Sequence, residues 1–359
     1  MKVCVVTYDE YINIPYILKY EYLLQQCDIE YDIILWDRRN INFNNTVTKN
    51  NYFIFKGKVK KSKLSKVIPF YKWRRFTLNI LQTNQYDKII ILTTLPAVLI
   101  NKFLVKNYTS MFLLDIRDFT YENLKIYRKK VDTLVAKSAL TFISSEGFGD
   151  WLKISNKVYL THNISNVEKE NHISFIEMGK TNIVIGFVGG IRYYKENCRI
   201  INAFKNMSNI KLLYIGKTHE GVKLKEYCIK NNVNNVVFGP AYQNEEKPVI
   251  YESIDIINSV YGSKSQIVKT ALPNKLYDCI LFKKPIMVSK NTYLSDIVDK
   301  YHLGFCVDIE KDDIYQKLLK YVENFDYKLF LEGCRDFKNK VLKEEKQADV
   351  RLKEFLDRI

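Results

Sequence analysis

Short apolar runs alternate with amphipathic stretches along almost the whole chain. In the first half the runs are "KVCVVTY", "YDIILW", "KIIILTT", "SMFLLDIRD", "LTFISS" and "KVYLTH". Helical patterns such as "PYILKYEYLLQQC", "FTLNILQTN" and "ENLKIYRKKVDTLVAKSA" lie between them. Continuous apolar strands separated by helices predict βαβ units around a buried parallel sheet. The rhythm stops at "NVEKENHISFIEMGKTN", which is polar and poorly periodic and reads as a linker. It resumes with "NIVIGFVGG", "IKLLYIG", "NVVFG", "SIDIINSVY", "KPIMVS" and "GFCVD". The expected architecture is therefore α/β, with two Rossmann-like doubly wound domains facing a central cleft. The 359 residues suit two domains. The predicted boundaries are 1–166, a linker at 167–182, a second domain at 183–326, and a helical tail at 327–359 that could pack back on the first domain. Ligands are expected at the carboxyl ends of the strands.

The formal net charge is +16. Residues 1–166 hold 25 Lys/Arg against 14 Asp/Glu, and the remainder 31 against 26. A basic excess favours an anionic partner: a phosphate, nucleic acid or an acidic membrane face. Seven scattered cysteines with no CxxC read as reduced core residues, so a cytoplasmic location is expected. "MKVCVVTYDE" reads as a first strand, too short and too soon acidic for a signal peptide. No apolar run is long enough to span a bilayer.

Three stretches carry candidate chemistry. In "IGFVGGIRYYKE" a strand ends at Val188, and Gly189-Gly190 lets the backbone turn and approach a ligand. Arg192 and Lys195 follow near a helix start, a good site for a diphosphate. In "DIINSVYG" the ring of Tyr261 could stack on a base. In "TALPNKLYDCILFKKPIMVS", Pro273 suits a helix N1 position, with Asn274 and Lys275 in the first turn and Asp278 three residues on. A cation, an amide and a carboxylate so placed suit a phosphate beside a diol-bearing sugar. The plain alternative is an i,i+3 ion pair between Lys275 and Asp278.

Together these residues resemble the nucleotide-sugar-binding domain of family 4-type glycosyltransferases with the GT-B fold. "GFVGxxRxxK", "YIG", "FGP", "DIINSVY" and "PNKLYD" followed by "KKPIMVS" carry the resemblance through residues 183–310. The resemblance implies that Arg192 and Lys195 grip the donor diphosphate. It makes Asn274 and Lys275 donor contacts and Asp278 the second acid of the Glu-x7-Glu signature, facing the ribose. The first acid is absent, because Thr270 stands there. The family also implies retention of anomeric configuration and a lipid-linked or other glycan acceptor in bacterial surface polysaccharide synthesis.

The first half offers "LLDIRDFTYE", with Asp115, Arg117, Asp118 and Glu122 at a strand end. These are candidate acceptor residues, Asp118 also a candidate catalytic group; a buried salt-bridge cluster is the alternative. Residues 55–75, "FKGKVKKSKLSKVIPFYKWRR", hold nine basic residues and no acid, with Phe70, Tyr71 and Trp73 interleaved. That composition suits docking on an anionic bilayer surface, expected at the inner face of the plasma membrane, with a solvated loop as the alternative. No Asp-x-Asp or His/Cys cluster is present, so neither a metal nor any cofactor beyond the donor sugar nucleotide is expected. A nucleotide-sugar epimerase of similar fold is the second reading. A nucleic-acid-binding protein is a third, which no zinc-finger, helix-turn-helix or RRM pattern supports.

Overall fold

The computed structural model describes residues 1–11, 14–37, 52–57, 67–164, 182–216 and 219–357. The chain forms two compact units. The first comprises Met1–His162 and Glu344–Ile359, the second Asn163–Lys343. The expected linker lies almost entirely outside the described residues.

The first unit holds β1 (Lys2–Val6), β2 (Glu30–Asp37), β3 (Tyr52–Lys56), β4 (Lys88–Leu92), β5 (Phe112–Ile116), β6 (Leu140–Ile143) and β7 (Val158–Leu160). They form one sheet in the order β3-β2-β1-β4-β5-β6-β7, every pair parallel. The central strands are buried on both faces, which is why their sequences are apolar without alternation. The second unit holds β8 (Ile183–Val188), β9 (Ile210–Ile215), β10 (Val236–Gly239), β11 (Ile256–Ser259), β12 (Ile286–Ser289) and β13 (Gly304–Val307). Its order is β10-β9-β8-β11-β12-β13, again parallel throughout. In each sheet the order reverses beside the first strand, between β1 and β4 and between β8 and β11. Those are the switch points where open parallel sheets hold ligands.

The terminal helix Tyr327–Asp357 serves both units. Phe330, Cys334, Phe337 and Val341 enter the core of the second. Ala348, Leu352, Phe355 and Leu356 enter the core of the first. The buried Lys88 ammonium donates to the Phe355 and Leu356 carbonyls, satisfying two acceptors that a helix end leaves open.

Residues 55–75 are not one segment. Tyr52–Lys56 is an edge strand and Val67–Thr83 a helix, while 58–66 lie outside the described residues. Trp73 is fully buried and stacks on Trp36 at 6.3 Å, and Phe70 meets Trp36 edge-on. Trp73 is therefore a core residue and Phe70 is half-buried against Trp36, so neither is the free interfacial anchor that the sequence suggested. Val67, Ile68 and Tyr71 remain exposed beside Lys72 and Arg75. Among the described residues no helix is long and apolar enough to cross a membrane.

Candidate functional site

The second unit gathers its candidates at the carboxyl ends of β8, β11 and β12. Gly189 follows β8 with φ of 119°, a conformation open to glycine and strained for other residues. Its amide donates to the Ile215 carbonyl at 2.9 Å. Gly216 is needed beside it: a Cβ there would lie 2.0 Å from the Gly189 carbonyl oxygen. Gly190 and Arg192 are exposed, and the helix Tyr194–Ala203 starts just beyond. The Asn197 amide closes that start by donating to the carbonyls of Arg192 at 2.6 Å and Tyr193 at 3.1 Å. Lys195 is exposed in the first turn. Neither Arg192 nor Lys195 has an ion-pair partner among the described residues.

Lys275 reaches the same strand end from the helix Asn274–Phe282. Pro273 is the extended N-cap, with ψ of 156°, so helical geometry begins one residue later than the sequence suggested. Asn274 is exposed in the first helical position. The Lys275 side chain is buried. Its ammonium donates to the Tyr261 hydroxyl at 2.7 Å and sits 3.7 Å from the centroid of the Phe187 ring. It also lies 3.9 Å from the point that a Cβ of residue 189 would occupy. Tyr261 is fixed in turn: its amide and that of Gly262 donate to the Ser289 hydroxyl at 3.0 and 2.8 Å. Its ring packs against Tyr193 at 4.9 Å and Phe187 at 6.0 Å. The ring expected to stack on a base thus packs against protein neighbours while staying half-exposed, and its hydroxyl holds a lysine.

Lys275 and Asp278 do not pair, contrary to the i,i+3 alternative. Asp278 is 5% exposed and engages other residues. Its Oδ1 accepts from Lys247 at 2.9 Å and its Oδ2 from the Tyr251 hydroxyl at 2.8 Å. Burial, then the Asp278 charge, pushes the Tyr251 phenol well above its ordinary range, so it remains a donor. A carboxylate has about four acceptor positions, so these two bonds do not exhaust it. Thr270 is fully buried and donates to the Gln266 carbonyl at 2.9 Å, a local bond that turns its hydroxyl back on its own helix. Lys247, Tyr251 and Tyr193 are site residues that the sequence did not single out.

In the first unit Asp115 is fully buried at the end of β5. Its Oδ1 lies 2.7 Å from Arg117 Nε, and its Oδ2 accepts from the Tyr20 hydroxyl at 2.7 Å. The Arg117 guanidinium lies 4.6 Å from the Tyr16 ring centroid. Burial disfavours its charge, but Asp115 together with the phenols of Tyr20 and Tyr16 more than offsets that and holds the guanidinium above its usual range. Asp115 and Arg117 thus take the internal ion-pair geometry, the alternative left open by the sequence. Asp118 is exposed just past that strand. Glu122 is buried, and burial pushes its carboxyl above the usual range. It accepts from the Thr94 hydroxyl at 2.6 Å. A depression of about 980 Å³ in this unit, lined by Lys88, Ser110 and Arg351, lies at the amino ends of the strands, away from these groups. Among the described residues no cluster of three or more His, Cys, Asp or Glu could hold a metal.

Two doubly wound parallel units give the chain the GT-B fold, and the second carries a glycine, a lysine and a carboxylate near its strand ends. Residues 168–343 match the family model of glycosyl transferases group 1, and the chain is a glycosyltransferase. No curated protein sequence matches it. Among solved structures it is similar to Anabaena HepE in complex with UDP-glucose, at 13% identity and a TM-score of 0.68, covering 99% of this chain and 100% of that one. It is also similar to the lipopolysaccharide outer core galactosyltransferase WaaB, at 12% identity and a TM-score of 0.67, covering 99% of each chain. A Listeria monocytogenes protein provisionally described as a UDP-N-acetylglucosamine 2-epimerase is less alike, at 8% identity and a TM-score of 0.55, covering 93% of this chain and 90% of that one.

Proposed function

We propose that this chain is a family 4-type transferase that moves a sugar from a nucleoside-diphosphate sugar to a glycan or lipid-linked glycan, in bacterial surface polysaccharide synthesis and with retention of configuration. The observation that carries the donor reading is the Lys275 ammonium held beside Gly189 at the end of β8. The similarity to HepE, whose structure holds UDP-glucose, and to WaaB, a lipopolysaccharide outer core galactosyltransferase, supports the donor and acceptor classes.

In this reading the sugar leaves as an oxocarbenium-like centre while negative charge builds on the departing diphosphate. Lys275, Arg192 and Lys195 neutralise that charge, and because Lys275 is already pinned by Tyr261 it needs no reorganisation. Gly189 and Gly190 let the backbone approach the phosphates, Asn274 adds an amide, and Asp278 receives ribose hydroxyls. Asp118 is the candidate acceptor-side group of the first unit, with Asp115 and Arg117 bracing the strand end before it. Side-chain cations take the place of a metal, so transfer is expected to persist in excess EDTA; a strict requirement for Mg²⁺ or Mn²⁺ would sink the charge-neutralisation scheme. The same assay separates the epimerase reading, which requires conversion of the donor with no acceptor present.

Residues 55–75 would hold the enzyme on the cytoplasmic face of an anionic membrane, through their basic side chains and the exposed Val67, Ile68 and Tyr71. Each basic residue near such a surface contributes about 1 kcal/mol. Replacing Lys58, Lys60, Lys61 and Lys63 with Gln is expected to release the protein from acidic vesicles while donor affinity stays unchanged. Vesicle binding that survives this change would remove the segment from the anchor.

A further inference from the structure

We propose that the Tyr242 hydroxyl is a second, uncharged hydrogen-bond donor to the anion faced by Lys275, in a cradle formed over Gly189. The inference rests on the donor-site reading and adds a residue to it. Three observations carry it.

The first is geometric. The point that a Cβ of residue 189 would occupy lies 3.9 Å from Lys275 Nζ and also 3.9 Å from Tyr242 Oη. A charged donor and a neutral one thus flank the bare glycine at the end of β8. The second is hydrogen-bond satisfaction. The Tyr242 ring is half-buried against the core of the second unit, which fixes its direction. Its hydroxyl has no hydrogen-bond partner among the described residues. The neighbouring tyrosine hydroxyls are engaged: Tyr251 donates to Asp278, and Tyr261 accepts from Lys275. A tyrosine hydroxyl at a partly buried site normally finds a partner, so a ligand oxygen would complete this one. The third is protonation. Burial, then the charge of Asp278, then Tyr261, push the Tyr242 phenol up to about 12. It therefore remains a donor over the neutral range and adds no negative charge beside a phosphate.

The ligand chemistry follows from the pairing. A lysine ammonium and a phenol converging on a glycine suit the oxygens of a diphosphate. The nucleoside part has no such anion. Tyr242 would hold the diphosphate in place while Lys275 supplies the charge.

Tyr242→Phe keeps the ring and its packing and removes only the hydroxyl. Calorimetric titration of the wild type, Tyr242→Phe and Lys275→Ala, each with uridine, UDP, guanosine and GDP, tests the proposal. Hydrogen bonds to charged groups are strong enough that Tyr242→Phe should weaken the bound diphosphate about tenfold. The matching nucleoside should bind as it does to the wild type, and the melting temperature should stay the same. If Lys275→Ala weakens the diphosphate and Tyr242→Phe does not, the donor site stands and this inference is overturned. Equal losses for nucleoside and diphosphate in Tyr242→Phe also overturn it, because the hydroxyl would then serve the nucleoside. If neither variant alters diphosphate binding, the donor-site reading falls together with the inference.

Discussion

Asp278→Asn is expected to destabilise the second unit and to weaken nucleoside and nucleoside diphosphate by the same factor. Both effects come from one carboxylate. In the folded protein it is buried, with Lys247 on one oxygen and the Tyr251 hydroxyl on the other. Asparagine keeps the shape and can still accept from one of them, but it cannot neutralise Lys247. Removing one partner of a buried pair costs about 3–5 kcal/mol when the other charge is left stranded. Lys247 keeps 17% of its side chain in solvent, so the lower end, about 3 kcal/mol, is the better expectation. For a unit of this size that lowers the melting temperature by roughly 6–12 °C. The binding loss has a separate origin, since ribose hydroxyls would meet a neutral amide in place of a carboxylate. Measured well below the melting transition, that loss should be on the order of tenfold for both ligands. A variant that melts like the wild type would mean that the Lys247 pair contributes little. A variant that binds like the wild type would remove Asp278 from the ribose.

The parts of the fold that were legible in the sequence share a physical cause. Among the described residues twelve of the thirteen strands are the quoted apolar runs, and the central ones are apolar throughout because parallel strands covered on both faces have no room for polar side chains. The exception is β3. It is an edge strand, only half-buried along Tyr52–Phe55, and it leads into the polybasic run, so its residues carried no buried-strand signal. Trp73 was misread for a related reason. Within a run of cations its ring resembled a membrane anchor, and only the three-dimensional meeting with Trp36 makes it core.

The site divides in the same way. Gly189, Lys275 and Tyr261 stand at strand ends or helix starts, and local pattern locates such places. Lys247 and Tyr251 meet Asp278 across 31 and 27 residues of sequence, and no local pattern encodes those partnerships. Tyr261 shows the limit from the other side. Its place at the strand end was legible, but its use was not, because that depends on where Lys275 points. Asp115 and Arg117 were legible as a charged strand end, and the choice between ligand and ion pair rested on Tyr20, reached across 95 residues.

The central claim is that Lys275 holds a nucleotide's diphosphate at the end of β8. Titrating Lys275→Ala with a nucleoside and with its diphosphate tests it most directly. The ammonium is buried, with one phenol oxygen as its hydrogen-bond acceptor and an aromatic face beside it. Such a site incompletely replaces water around a cation, so the lysine is not held there for stability. Alanine is also the better helix former. The account therefore predicts a variant that melts at or above the wild-type temperature. It should bind the nucleoside unchanged, and it should bind the diphosphate more weakly by on the order of tenfold to a hundredfold, the value of a charge-assisted hydrogen bond. Equal changes for the two ligands, or a diphosphate affinity that does not move, would contradict it.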